Sequence, residues 1–301
     1  MKTRSTHVIA AWVLSALLSA VAARAATVTV GDYAALTNAI AVCADGDTIS
    51  LTTNITVYAE LSITTKGLTF EGNHHTISVP VPSLDESGVM HRSAPSDFRV
   101  FYVSSGGRTN TIRNLTIKGG SPASEGGGIS NVGGTLVLEG VTVTQSGGPD
   151  YGGGGIANGS GTLFMRDCMI SRNIAKDGGG FHNIGAGAKI FVERCTLSDN
   201  RCMSGWGGGA VENGSALYVN NSTFAANECN ELGGAINNVG GIAYFVGCTF
   251  VGNMASGNHE GGAIAHNGGN VTLVNSLFAY NYHNSDGTYL LNDITSYSGT
   301  P

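Results

Sequence analysis

The sequence predicts an all-β fold: a single-stranded, right-handed parallel β-helix solenoid with a short N-terminal helical cap. Three observations carry that reading. Small residues followed by one large apolar residue recur at Gly126–Ile129, Gly153–Ile156, Gly178–Phe181, Gly208–Val211, Gly233–Ile236 and Gly261–Ile264, at spacings of 27, 25, 30, 25 and 28 residues. A fixed period of this length marks a stack of repeats, each too small to bury its own apolar face. Between the copies, segments such as LFMRDCMI (163–170), IFVERCTL (190–197) and LYVNNSTF (217–224) alternate apolar and polar residues with period two, as half-buried strands do. Asparagines also keep a fixed offset in each copy: Asn131, Asn158, Asn183, Asn213 and Asn238 in one file, Asn173, Asn200, Asn227, Asn253 and Asn281 in another.

Residues 1–25 read as a secretory signal peptide. Lys2 and Arg4 precede an uncharged apolar run, Val8–Val21, and Ala23-Arg24-Ala25 supplies a small-x-small cleavage site. The run is short for a membrane span, and no later stretch is apolar enough to be one. Removal of these residues loses Lys2, Arg4 and Arg24 and no acid, taking the formal charge from −6 to −9. An acidic protein of this kind is a poor partner for nucleic acid or an anionic membrane surface. The 46 glycines do not signal disorder, because 42% of the residues are hydrophobic and available for burial.

Residues 26–98 read as the cap and first turns. Tyr33–Cys43 has helical spacing of apolar residues, ended by Asp45-Gly46-Asp47, and 47–51, 61–63, 68–70 and 76–79 read as short strands. A cap is required because an open solenoid end exposes unpaired strand edges. Residues 80–98, with three prolines, read as a loop excursion, and 99–103 resumes the solenoid that occupies 99–301. After Asn281, LLNDI (290–294) is a candidate closing strand.

In the repeats, Leu115, Val141, Cys168, Cys195, Ser222, Cys248 and Ser276 form one inward column, and Ile117, Val143, Ile170, Leu197, Phe224, Phe250 and Phe278 form the next. Glycine and asparagine suit the corners, since both tolerate the left-handed conformation. Stacked asparagine amides can bond along their file. The six cysteines form no zinc spacing. Cys168/Cys195 and Cys202/Cys229 lie on adjacent turns. Direct parallel rungs are awkward for a disulfide, which favours free buried thiols at 168/195 and leaves 202/229 open.

The sequence resembles two known groups. GGA-[ILV] alternating with Phe-x-x-Asn is similar to the polymorphic outer membrane protein repeat, intact at Gly208–Val211 with Phe224/Asn227, Gly233–Ile236 with Phe250/Asn253 and Gly261–Ile264 with Phe278/Asn281, and relaxed in earlier copies. The first turns, with L-x-x-AI then GDTI-x-L, look like the start of pectin-lyase-like β-helices. The first resemblance implies a secreted or surface-displayed, often adhesive passenger. The sequence carries no run of amphipathic strands for an outer-membrane barrel after Asn281. The second resemblance implies a fold that hosts polysaccharide lyases and hydrolases, without conferring their activity.

Candidate chemistry lies in two places. Glu125, Asp150 and Asp177 precede glycine runs on successive turns, a candidate acidic rim for calcium or for paired-carboxylate chemistry, against the plainer reading of solvated corners. His182 and Glu212 read as an outward-facing pair on adjacent turns, with the Trp206 loop between them, suited to acid–base work or to a surface rung. A binding face is suggested by the outward column Val137, Phe164, Phe191, Tyr218, Tyr244, Thr272, whose aromatics suit a polysaccharide or cell-surface ligand or simple rung-to-rung stacking. Beside it, Glu139, Arg166 and Glu193 alternate in charge. Three functions follow: a non-catalytic secreted or surface-associated binding solenoid without cofactor, a polysaccharide lyase or glycoside hydrolase, and a structural envelope component.

Overall fold

The computed structural model describes residues 25–80, 98–203, 207–257, 261–285 and 288–296; the side chains of 149–151 and 285 are not among them. All but the last residue of the expected signal peptide, and nearly all of the expected 80–98 excursion, lie outside the described residues.

The backbone winds into a parallel β-solenoid of about seven turns. Each repeat turn supplies two strands to a first sheet, one to a second and one to a third, and among the described residues the three sheets hold 17, 9 and 7 strands. Register is one-to-one between turns. Ile156, Ala157 and Asn158 pair with Phe181, His182 and Asn183, which pair with Val211, Glu212 and Asn213. Phe164 pairs with Phe191, Phe191 with Tyr218 and Tyr218 with Tyr244. The expected fold class is therefore observed, and so are the vertical files.

The eight-residue segments do not run straight. Each bends into two strands, as at Thr162–Arg166 and Met169–Ser171. The bend is a residue with positive φ: Asn114, Gly140, Asp167, Arg194, Asn221, Gly247 and Asn275, at 48° to 63°. A second such file, Gln145, Arg172, Asp199, Ala226, Gly252 and Tyr280, stands immediately before the ladder residues Ser146, Asn173, Asn200, Asn227, Asn253 and Asn281. Most of these residues are not glycine, so stacking imposes a conformation that local preference opposes by about 1 kcal/mol each.

The asparagine ladders provide part of the compensation. Asn173 Nδ2 donates to Asn200 Oδ1, Asn200 to Asn227, Asn227 to Asn253 and Asn253 to Asn281, at 2.9–3.0 Å. Each amide also bonds a carbonyl of the turn, as Asn227 Nδ2 does with Leu197 O at 2.9 Å. The other file links Asn131, Asn158, Asn183, Asn213 and Asn238 in the same way, at 2.7–3.1 Å. These amides are buried, where an unpaired polar group would cost about 1–3 kcal/mol.

Between the ladders runs one apolar core. Leu115, Val141, Cys168, Cys195 and Cys248 are buried, as are Ile117, Val143, Ile170, Leu197, Phe224 and Phe250. Phe224, Phe250 and Phe278 stack face to face at 4.8 and 4.7 Å. The inward columns weaken at their last members, because Ser276 and Phe278 are only half buried. All six cysteines are buried and none is in a disulfide, so Cys202 and Cys229, left open by the sequence, are registered neighbours that are not bridged.

The first turn is capped by the helix Tyr33–Val42. Asp32 accepts from the Ala35 amide at 2.8 Å and so satisfies a helix-start donor. Leu36 and Ala39 face the core. Lys66 Nζ donates to Ile40 O and Ala41 O, placing a cation at the negative helix end. At the other end, LLNDI is split between two strands: Thr288–Leu291 folds back antiparallel on Tyr282–Ser285, and Ile294–Ser296 lies parallel on Ile264–His266.

Candidate functional site

The two sequence-level constellations form one cluster. His182 and Glu212 are paired rungs on adjacent turns, as expected. They are not a solvated surface pair: His182 is only 6% exposed, and the Glu212 side chain is 13% exposed. The outer face of their sheet is covered by the corner segments, so an outward Cβ does not lead to water. Gly152 lies directly against the imidazole, and a Cβ built there would collide with His182 Nδ1.

The acids separate by register. Gly153 and Gly178 follow Gly126 in the stacked corner, through Gly126 N to Gly152 O and Gly153 N to Asp177 O. The corner file is therefore Glu125, Gly152, Asp177, and Gly152 pairs with Asp177. Asp150 sits two residues earlier in the strand Gly147–Gly152, out of that file, and its side chain is not described. The expected three-acid rim is thus reduced to Glu125 and Asp177 with a glycine between them. Trp206 lies outside the described residues.

Glu125 Oε1 stands 3.6 Å from His182 Nδ1, and Glu212 Oε2 stands 3.4 Å from Nε2. Both contacts are long for hydrogen bonds, and Nδ1 and Oε2 have no hydrogen-bond partner among the described residues. Burial works against protonation of His182, but Glu125, Glu212 and Asp177 outweigh it and raise its pKa. Burial pushes Glu212 up to about 7; Asp177 and Glu125 add to this, while His182 and Lys176 oppose it. The neighbouring His182, helped by Arg99, holds Glu125 below the ordinary value. The environment thus raises the pKa of both His182 and Glu212, while Glu125, 37% exposed, is the member that solvent reaches. Coupled groups of this kind titrate as a unit.

Sequence reasoning missed Gly152 and Arg99. Arg99 ion-pairs with Glu60 at 3.1 Å and lies 5.4 Å from the Tyr102 ring centre. Aligning 125, 152 and 177 on their glycine runs would have exposed the first. No sequence pattern marks the second. His182 stands between Glu125 and Glu212, so the cluster offers an imidazole nitrogen beside carboxylates rather than the all-oxygen shell that calcium prefers. No group of three His, Cys, Asp or Glu side chains suited to a metal is found among the described residues.

The aromatic column is a continuous stack. Phe164–Phe191, Phe191–Tyr218 and Tyr218–Tyr244 are separated by 4.8, 5.0 and 5.5 Å, with interplanar angles of 12°, 10° and 2°. Ring faces are therefore used by neighbouring rings, and the edges meet solvent. Phe164, Tyr218 and Tyr244 are each about 40% exposed. Between this stack and the charge file runs a shallow groove of about 370 Å³, lined by Phe164, Phe191, Tyr218, Glu139, Arg166 and Glu193 among others. Within it Arg166 is paired with Glu193 at 3.0 Å.

In overall path the protein is similar to two solved structures. A pectin methylesterase from Aspergillus niger shares 14% identity over 92% of this chain and 90% of that one, with a TM-score of 0.48. The pectate lyase Pel9A shares 14% identity over 83% of this chain and 72% of that one, with a TM-score of 0.41. No family model and no curated protein matches the sequence. The fold assignment rests on the strand register itself. No helix among the described residues is long and apolar enough to cross a membrane.

Proposed function

We propose that the protein is a secreted or cell-surface β-solenoid that binds an extended glycan along its outer groove without transforming it. The observation that carries this reading is the groove between the aromatic stack and the Glu139–Arg166–Glu193 file. It is long, shallow and continuous over several turns, which suits a polymeric ligand better than a small molecule. With the ring faces occupied, the ligand meets ring edges, the tyrosine hydroxyls and the paired charges. The likeness of the repeat to surface-displayed passengers and the signal-peptide pattern of residues 1–25 support display outside the cell.

Affinity electrophoresis or calorimetry against acidic and neutral polysaccharides tests the proposal. Binding without new reducing ends, weakened at least tenfold by Tyr218→Ala, is the expected result. Binding unchanged by Tyr218→Ala and Phe191→Ala would remove the groove from consideration.

A second reading has its own observation. The Glu125–His182–Glu212 cluster holds a carboxyl group that exchanges a proton near pH 7, as a general acid or base requires. It supports a polysaccharide lyase or glycoside hydrolase, with Glu125 as the member open to substrate. Release of reducing ends or unsaturated products, abolished by Glu125→Gln, would replace the first reading with this one.

A further inference from the structure

The C-terminal end of the solenoid is a step. The last complete turn consists of Ile264–His266, Asn270–Val274, Leu277–Ala279 and Tyr282–Ser285. The first of these is covered by Ile294–Ser296 and the last by Thr288–Leu291. Among the described residues, no strand covers the outer edges of Asn270–Val274 and Leu277–Ala279. Half of the perimeter therefore stands one strand higher than the other half.

The low half is not protected as an edge usually is. Residues 270–282 contain no charge and no proline, the usual devices against edge pairing. Val271, Leu273 and Phe278 are only partly buried, whereas Ala243, Phe245 and Phe250, one turn earlier in the same columns, are fully buried. The high half is also apolar at its rim, with Tyr289, Leu290, Leu291 and Ile294 exposed.

We infer that the open end pairs with the same end of a second copy about a two-fold axis. Around the perimeter the order is high, low, low, high. A two-fold axis lying in the plane of the last turn, and passing between Ile264–His266 and Asn270–Val274, exchanges high with low. Each copy's Ile294–Ser296 then meets the other's Asn270–Val274, and each Thr288–Leu291 meets the other's Leu277–Ala279. Both gaps fill together, in the isologous manner of a closed dimer. The opposite end cannot take this place, because the helix Tyr33–Val42 caps it. Charge agrees: residues 270–296 hold Asp286 and Asp293 and no Lys or Arg, and Asp293 is engaged by Asn281 Nδ2 at 2.9 Å. The paired strands themselves bring no like charges together.

Sedimentation and light scattering of the full-length protein across a dilution series read this out. The expected species has twice the monomer mass, and small-angle scattering gives a particle close to twice as long. Leu277→Lys with Leu291→Lys places lysines on both members of each pairing of Thr288–Leu291 with Leu277–Ala279. These side chains are 61% and 71% exposed, so the fold tolerates the change, which circular dichroism checks. The double variant should dissociate at least a hundredfold more readily, while Val42→Lys at the capped end should not. A monomer at all concentrations, open-ended polymers, or a dimer indifferent to the double variant would each overturn the inference.

Discussion

Replacing Glu212 with glutamine isolates the energetic consequence of the buried cluster. The side chain keeps its shape and loses its ionisation. Glu212 has a folded-state pKa of about 7 against an ordinary 4.5. A carboxyl whose pKa is raised on folding contributes stability below the unfolded value, and that stability is lost as pH rises through the folded one. Between pH 4.5 and pH 7 the wild type therefore loses about 3 kcal/mol through this group. The glutamine of the Glu212→Gln variant does not titrate, so the stability difference between variant and wild type should move in the variant's favour by about that amount between pH 4.5 and pH 8. For a protein of this size that is on the order of 5 °C in relative melting temperature. Paired thermal melts at the two pH values measure it directly. A difference between the two proteins that does not change with pH would refute the account, because it would mean that Glu212 ionises in the fold as freely as in water.

Other perturbations probe neighbouring parts of the argument. Gly152→Ala should displace His182, lower its pKa by weakening the Glu125 contact, and destabilise by about 1–3 kcal/mol; adding His182→Ala should recover part of that loss, and additive effects would show that the two residues do not touch. Asn227→Ala in mid-ladder removes the side-chain partner of the Asn200 N–H and of Leu197 O and should cost about 3–5 kcal/mol, seen as faster hydrogen exchange confined to the adjacent turns. Ala226→Gly relieves a left-handed alanine (φ 52°) and should raise stability by about 0.5–1 kcal/mol; a loss in the melting experiment would contradict the corner geometry.

The stacked files were legible in the sequence because a solenoid turns sequence period into spatial alignment. Phe191 over Tyr218 and Asn200 over Asn227 needed only the repeat length and the period of two. The left-handed corners were not legible where Arg194, Ala226 or Tyr280 occupies them, since those residues carry no preference for that conformation. The site was half legible. His182 and Glu212 were paired by register, but their burial depends on the corner segments that cover the sheet, and period-two logic assigns every outward residue to solvent. Asp150 stands farther ahead of its glycines than Glu125 and Asp177 do of theirs, and that offset carries into the structure, where Gly152 rather than Asp150 is in register with Asp177.

One property of the asparagine rows reaches beyond local bonding. In both rows every asparagine NH₂ points toward the C-terminal end of the coil and every asparagine amide oxygen toward the start. Their group moments add rather than cancel, as peptide moments do in a helix. The molecule thus has an electrical polarity along its long axis, negative at the buried Asn131 oxygen, which meets no donor among the described residues. The positive terminus of the row that starts at Asn173 falls on Asn281, where the carboxylate of Asp293 receives it, so an anion terminates this row of aligned amides.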